Sequence, residues 1–243
     1  MTRLSVNVNK IALLRNSRGG QHPDVADFVR RAIDLGVRGI TVHPRPDERH
    51  ITRRDVFTIA RLLEGHPGVE FNIEGYPSGS FLALIDEVRP AQCTLVPDAP
   101  DQLTSDHGWD MRGSADVLAG VLERLRSMAV RSSLFMDPDP EAAAPAAALG
   151  ADRVELYTEE YARAWGTDRE AAVLERYRQA AGAAAEAGLG INAGHDLNLG
   201  NLPRFMEIPG ILEVSIGHAL VVESLERGFA AVVSEYLTIT GER

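Results

Sequence analysis

Short apolar runs alternate with amphipathic stretches along the whole chain, and each pair reads as one strand followed by one helix. The strand-like runs fall at 4–8, 38–42, 69–74, 92–96, 131–136, 153–157, 189–193 and 212–216, short enough and β-branched enough for buried parallel strands. Helical spacing of apolar residues covers Asp24–Leu35, Arg54–Leu63, Gly79–Val88, Ser114–Met128, Pro140–Leu149, Asp168–Ala187 and Phe229–Leu237. Several of these helices stop on glycine before the next strand, as at Leu35-Gly36-Val37, Leu149-Gly150-Ala151 and Ala187-Gly188-Leu189. Eight alternations within 243 residues predict an α/β protein, a TIM (β/α)8 barrel with extra short helices, as one domain over 1–243.

Two stretches depart from a minimal barrel. Residues 97–112 form a long connection after the fourth strand, and a loop of that length reads either as an active-site lid or as a surface insertion. After the eighth strand, Gly217-His218-Ala219-Leu220 opens a short additional helix. Barrels commonly bind phosphate on backbone N–H groups at that point.

Composition narrows the setting. The 44% hydrophobic and 25% charged content is that of an ordinary globular protein, and no apolar stretch is long enough to span a bilayer. The first residues run straight into a strand-like pattern without a signal-peptide core, which predicts a cytoplasmic location. A net charge of −10 argues against a general nucleic-acid or anionic-membrane binder. Cys93, the single cysteine, excludes an internal disulfide and reads as a small buried hydrophobe. Of 25 basic residues only Lys10 is a lysine, and Arg15, Arg18, Arg45, Arg49, Arg53 and Arg54 join it in two segments after the first two strands. Guanidinium groups suit bidentate phosphate recognition, although most surface arginines are merely solvated.

The chemistry sits at the strand ends. Gly39-Ile40-Thr41-Val42 stops on His43, Phe71-Asn72-Ile73 stops on Glu74, and Ile191-Asn192-Ala193-Gly194 stops on His195. On a barrel these ends share one mouth, so two imidazoles and a carboxylate converge there, which is the equipment of acid–base catalysis. Pro44 and Pro46 stiffen the loop that carries Arg45 and His50. Glu155, inside the sixth strand, points into the barrel beneath the site. His22, His66 and His107 lie in loops and read as surface residues.

Several blocks in order along the chain carry a resemblance. They are Asn7…Ile11-Ala12…Leu14-Arg15-Asn16…Arg18-Gly19, Gly39-Ile40-Thr41-Val42-His43, Arg49-His50-Ile51-Thr52, Asn72-Ile73-Glu74, Leu95-Val96-Pro97, Asn192-Ala193-Gly194-His195 and Ile216-Gly217-His218-Ala219. Over essentially its full length the chain resembles the pyridoxine 5′-phosphate synthase family. That resemblance implies condensation of 3-amino-2-oxopropyl phosphate with 1-deoxy-D-xylulose 5-phosphate to pyridoxine 5′-phosphate, phosphate and water, with no metal or redox cofactor. It implies His43 and Glu74 as proton acceptors and His195 as proton donor. Arg45, His50 and Thr104 would hold the deoxyxylulose phosphate, and Asn7, Arg18, Gly217 and His218 the aminoketone phosphate. It further implies a homo-oligomer, from dimer to octamer.

The sequence differs from the commonest family pattern at three places. Asn9-Lys10 stands where Asp-His is usual, Asp196 where Gly follows the strand-seven histidine, and Thr158-Glu159 where Thr-Gly is usual. Asn9, Lys10 and Asp196 thus occupy substrate-contact positions with altered chemistry. Their paired change of sign predicts that Lys10 and Asp196 offset one another across the mouth. Three alternatives remain open on residues alone. One is a sugar-phosphate isomerase or epimerase with Glu74, Glu155 and His195 around a divalent ion. Another is a Schiff-base aldolase using Lys10. The third is a barrel that senses phosphorylated metabolites without turning them over.

Overall fold

The computed structural model describes residues 1–98 and 105–242. Its strands are β1 (Arg3–Asn7), β2 (Gly39–Val42), β3 (Glu70–Gly75), β4 (Gln92–Leu95), β5 (Arg131–Met136), β6 (Arg153–Tyr157), β7 (Gly190–Gly194) and β8 (Ile211–Ile216). They close into an eight-stranded barrel in chain order, every neighbouring pair parallel, with β8 returning to β1. The helices are α1 (Asn9–Asn16), α2 (Val25–Asp34), α3 (Arg53–Leu63), α4 (Gly79–Val88), α5 (Ala115–Ser127) and α6 (Ala143–Ala148). They continue with α7 (Glu159–Ala164), α8 (Glu170–Glu186), α9 (Leu202–Phe205), α10 (His218–Arg227) and α11 (Phe229–Thr240). Among the described residues no helix is long and apolar enough to cross a membrane.

The expected strands all form, two with the expected bounds and the rest with ends displaced by one residue. The first ends at Asn7 rather than 8, because Val8 turns away (ψ 9°) to begin α1. The helix expected over Pro140–Leu149 starts as a 3-10 turn, Pro140–Ala142, with Asp139 accepting from the Glu141 N–H at 2.9 Å, and continues as α6. Three short helices, α1, α7 and α9, arise where no helix was expected. They have four to eight residues each, too short to display a periodic apolar face, and α1 and α7 follow their strands almost at once.

Strand alternation sorts the side chains into two very different layers. Leu4, Val6, Ile40, Val42, Ile73, Leu95, Val154, Leu156 and Ile216 are buried between sheet and helices, and that layer is the apolar core. Cys93 belongs to it, and burial pushes its thiol pKa up. The barrel interior, usually filled by branched aliphatic residues, is polar instead. Ser5 Oγ lies 2.7 Å from Thr41 Oγ1, Asn72 donates to Thr41, and Thr94 Oγ1 donates to Asn72 Oδ1 at 3.0 Å. Below them Arg3 and Arg131 both pair with Glu70, Arg131 Nε donates to Gln92 at 2.9 Å, and Arg153 donates to Asn192 at 3.0 Å. These bonds close the N-terminal end of the barrel and leave the opposite, C-terminal end open for chemistry.

Candidate active site

The strand ends build the site from the backbone upward. Asn7, the last residue of β1, accepts the Asn9 N–H through its side chain at 3.0 Å, and Asn9 Oδ1 in turn accepts the His43 N–H at 2.9 Å. The turn out of β1 thus sets the residue that follows β2. Lys10, one residue on in α1, is directed to the same mouth. Gly217 caps α10, and a Cβ there would meet Asn7 Cβ at 3.1 Å, so glycine lets that helix start against β1. Gly194 is needed for a similar reason, since a Cβ at that position would collide with the Glu155 carboxylate.

A cavity of about 510 Å³ opens at this mouth. His43, Glu74 and His195 all line it, and so do Asn7, Asn9, Lys10, Arg45, His50, Asp196, Gly217 and His218. Arg18 is not among its lining residues; it lies exposed in the turn after α1. Thr104, and the centre of the long connection expected as a lid, lie outside the described residues. The end of that connection is described, and there Ser105 reaches the cavity.

On the β2–β3 side the groups are deeply buried. His43 Nδ1 stands 3.8 Å from Glu74 Oε2, close enough for electrostatic coupling and too far for a hydrogen bond. Burial depresses the His43 pKa well below that of an ordinary histidine, with Arg45, His50 and Arg49 adding to the effect. Burial likewise raises Glu74 well above an ordinary carboxylate, reinforced by Glu155, Asp98 and Glu213. The protein surroundings alone therefore favour the neutral imidazole of His43 and the protonated form of Glu74. Glu155 beneath them is pushed up to about 8, again by burial first and Glu213 second. His50 is pushed down to about 4 by burial and by Arg45, Lys10 and Arg49. Its Nδ1 accepts the Ile51 N–H at 2.9 Å, so its proton resides on Nε2.

Residues given no site role from the sequence hold this side in place. Asp98 forms a buried ion pair with Arg45, and Ser105 Oγ donates to the same carboxylate oxygen at 2.8 Å. Asn16 Nδ2 donates to the His50 carbonyl at 2.8 Å, and Arg15 bridges to Asp55 at 2.5 Å. Asp55 closes a capping box with Thr52 at the start of α3. The Thr52-x-x-Asp55 spacing was the available signal for that last contact. Nothing local in sequence marks Asp98 as the partner of Arg45, because they belong to different strand ends.

The β6–β7 side is more open. His195 Nδ1 lies 3.0 Å from Asp196 Oδ2, and the Tyr157 ring meets the imidazole edge-on at 5.1 Å. Tyr157 donates its hydroxyl proton to Glu159 at 2.9 Å, which gives the unexpected glutamate a structural partner. The His195 bond is the largest cause of a lowered Asp196 pKa, followed, after an opposing effect of burial, by the charges of His195, His218 and Arg163. Lys10 and Asp196 both line the cavity, where Lys10 acts on His50 and Asp196 bonds to His195. Among the described residues no group of three His, Cys, Asp or Glu side chains gathers closely enough to hold a metal ion, so Glu74, Glu155 and His195 do not form a divalent-ion site.

Fold and mouth together define a class: a (β/α)8-barrel enzyme with proton-transfer groups and anion-binding elements at the carboxyl ends of its strands. The backbone alone goes no further. Solved structures of the tryptophan synthase A-subunit from Pyrococcus furiosus share it with a TM-score of 0.63 over 98% of this chain and 97% of theirs, at 15% identity. Sequence is more specific. Residues 4–242 match the model of the pyridoxal phosphate biosynthesis protein PdxJ, and the chain belongs to that family. Relatives include the pyridoxine 5′-phosphate synthase of Porphyromonas gingivalis, 52% identical over 97% of this chain and 98% of its own length. The enzyme of the same name from Albidiferax ferrireducens is 50% identical over 97% and 96%.

Proposed function

We propose that the protein makes pyridoxine 5′-phosphate from 3-amino-2-oxopropyl phosphate and 1-deoxy-D-xylulose 5-phosphate, releasing phosphate and water. The observation that carries this reading is the gathering of His43, Glu74 and His195 on one cavity of about 510 Å³ in a chain half identical to curated synthases. In that reaction the substrate amine condenses with the sugar ketone, phosphate and water leave, and a carbanion equivalent closes the ring. Every step places or removes a proton while both substrates are held in one orientation.

We assign His43 the role of base from the outset, because burial keeps its imidazole neutral. Glu74 begins as the acid, and the positive charge of the incoming ammonium group favours its ionised form, after which it accepts protons. His195 on the opposite wall is assigned as donor. Arg45, His50 and Thr104 are assigned to the sugar phosphate. Asn7, Gly217 and His218 are assigned to the aminoketone phosphate, with the start of α10 supplying backbone N–H groups, and Arg18 to the same phosphate from its exposed turn outside the cavity lining. Asn9, Lys10 and Asp196 complete the substrate surroundings. We also assign the chain one catalytic domain, a cytoplasmic location and a homo-oligomeric state, the last measurable by sedimentation.

Mixing both substrates with purified protein tests the reading. The ultraviolet absorbance of the pyridoxine ring should rise together with released phosphate. Folded protein that yields no ring product removes it. Borohydride trapping with a ketose phosphate separates the aldolase alternative, which requires covalent label on Lys10.

A further inference from the structure

His195 and Asp196 both adopt left-handed backbone, at φ 76° and 59°, and neither is glycine. Such a conformation is unfavourable for residues with a Cβ and persists where the surroundings over-determine it. Here the Thr158 hydroxyl donates to the Gly194 carbonyl at 2.9 Å and to the His195 carbonyl, and the Thr158 N–H also reaches Gly194 at 3.1 Å. Asn201 Nδ2 donates to the Asp196 carbonyl at 3.2 Å. The consequence of this clamp is that the Asp196 carboxylate folds back onto the preceding imidazole, Oδ2 to Nδ1 at 3.0 Å. The Tyr157 ring stands against the imidazole, 5.1 Å between centroids.

We propose that Asp196 is a positioning residue for the donor histidine, accepting the Nδ1 proton of His195 so that proton exchange with a bound molecule falls to Nε2. This inference rests on the function proposed above and deepens it. An imidazole bonded at Nδ1 to a carboxylate has one tautomer and one ring orientation. In the step, the Nε2–H bond breaks and its proton passes to the leaving oxygen of the substrate. The bonding pair stays on Nε2, leaving neutral imidazole with its Nδ1 proton still on Asp196. Asp196 itself remains ionised throughout.

Other charged or titratable groups face the pair and bound the effect. Glu155 and Tyr157 come from β6, Glu159 and Arg163 from α7, and His218 from α10; Asp106, at the end of the long connection, acts on Tyr157. Arg163 and His218 act on Asp196 in the same direction as His195, towards the carboxylate. The pair is therefore supported from two helices as well as by its own hydrogen bond.

The test uses Asp196→Asn and Asp196→Gly in the full chain. Asparagine keeps the shape and tolerates left-handed backbone, and glycine relieves it, so two opposite backbone effects share one lost carboxylate. Nitrogen-15 spectra of the histidine side chains, recorded without substrates, should show the neutral form of His195 with its proton on Nδ1 in the native protein and a tautomer mixture in both variants. Turnover should fall about tenfold with KM within about twofold. An unchanged tautomer and unchanged kcat in both variants overturn the proposal. So does a loss expressed wholly in KM, which would make Asp196 a substrate contact only. A failed function reading registers differently, as no ring product from the native chain.

Discussion

The two walls of the mouth use the same residue types to opposite ends. On the β2–β3 wall His43 and Glu74 are 9% and 13% exposed at their side chains and are governed by desolvation, which neutralises both. On the β7 wall His195 and Asp196 are 26% and 37% exposed, and a direct 3.0 Å contact governs them instead. One imidazole thereby favours its neutral form, and the other has a carboxylate acceptor at Nδ1. Environments that set like groups apart are what assign acid and base roles, and here the assignment follows from which wall is dry.

The largest effect should come from removing either imidazole. His43→Ala and His195→Ala should each lower kcat by about 10²- to 10⁴-fold with the fold intact by circular dichroism. Ordinary turnover in either variant would break the division of labour between the walls. Stability should separate the walls next. Asp98→Ala strands Arg45 in the dry wall without its ion-pair partner and should cost about 3 kcal/mol in urea unfolding. Arg163→Ala removes an ion pair with Glu159 on the open wall, where the guanidinium is 77% exposed, and should leave the midpoint unchanged. Equal losses in the two variants would mean that the walls do not differ in solvation.

The barrel and its mouth were legible in the sequence because strand and helix periods are local, and because a strand's last residue is fixed at the mouth once the strand is recognised. His43, Glu74 and His195 could be read that way. The polar filling of the barrel could be glimpsed only singly, as Glu155, because Arg131, Gln92, Glu213 and Asn192 meet across four strands far apart in sequence. Asp98 was invisible for the same reason. The pairing of His195 with Asp196 escaped because it depends on two left-handed residues in a row, a conformation that adjacency does not announce. Lys10 and Asp196 were matched by sign alone; the contacts the structure gives them, with His50 and His195, depend on distances that sign does not carry.

The smallest effect tests the dry wall through pH. His50 is lowered from an ordinary 6.5 to about 4, so the folded chain binds fewer protons than the unfolded one between those values. Its contribution to stability is therefore complete above pH 6.5 and is lost as the pH falls to about 4. Glu155, raised from 4.5 to about 8, acts in the other direction: the folded chain holds its proton longer, so stability declines as the pH rises across that range. His50→Gln should flatten the acid slope by an amount on the order of 2 kcal/mol, leaving the share that belongs to His43. Glu155→Gln should flatten the alkaline one and leave the acid slope in place. Urea midpoints measured from pH 4 to 8.5 resolve both slopes. An acid slope unchanged in His50→Gln would show that the wall admits water, and the contrast between the two imidazoles would then rest on the Asp196 contact alone.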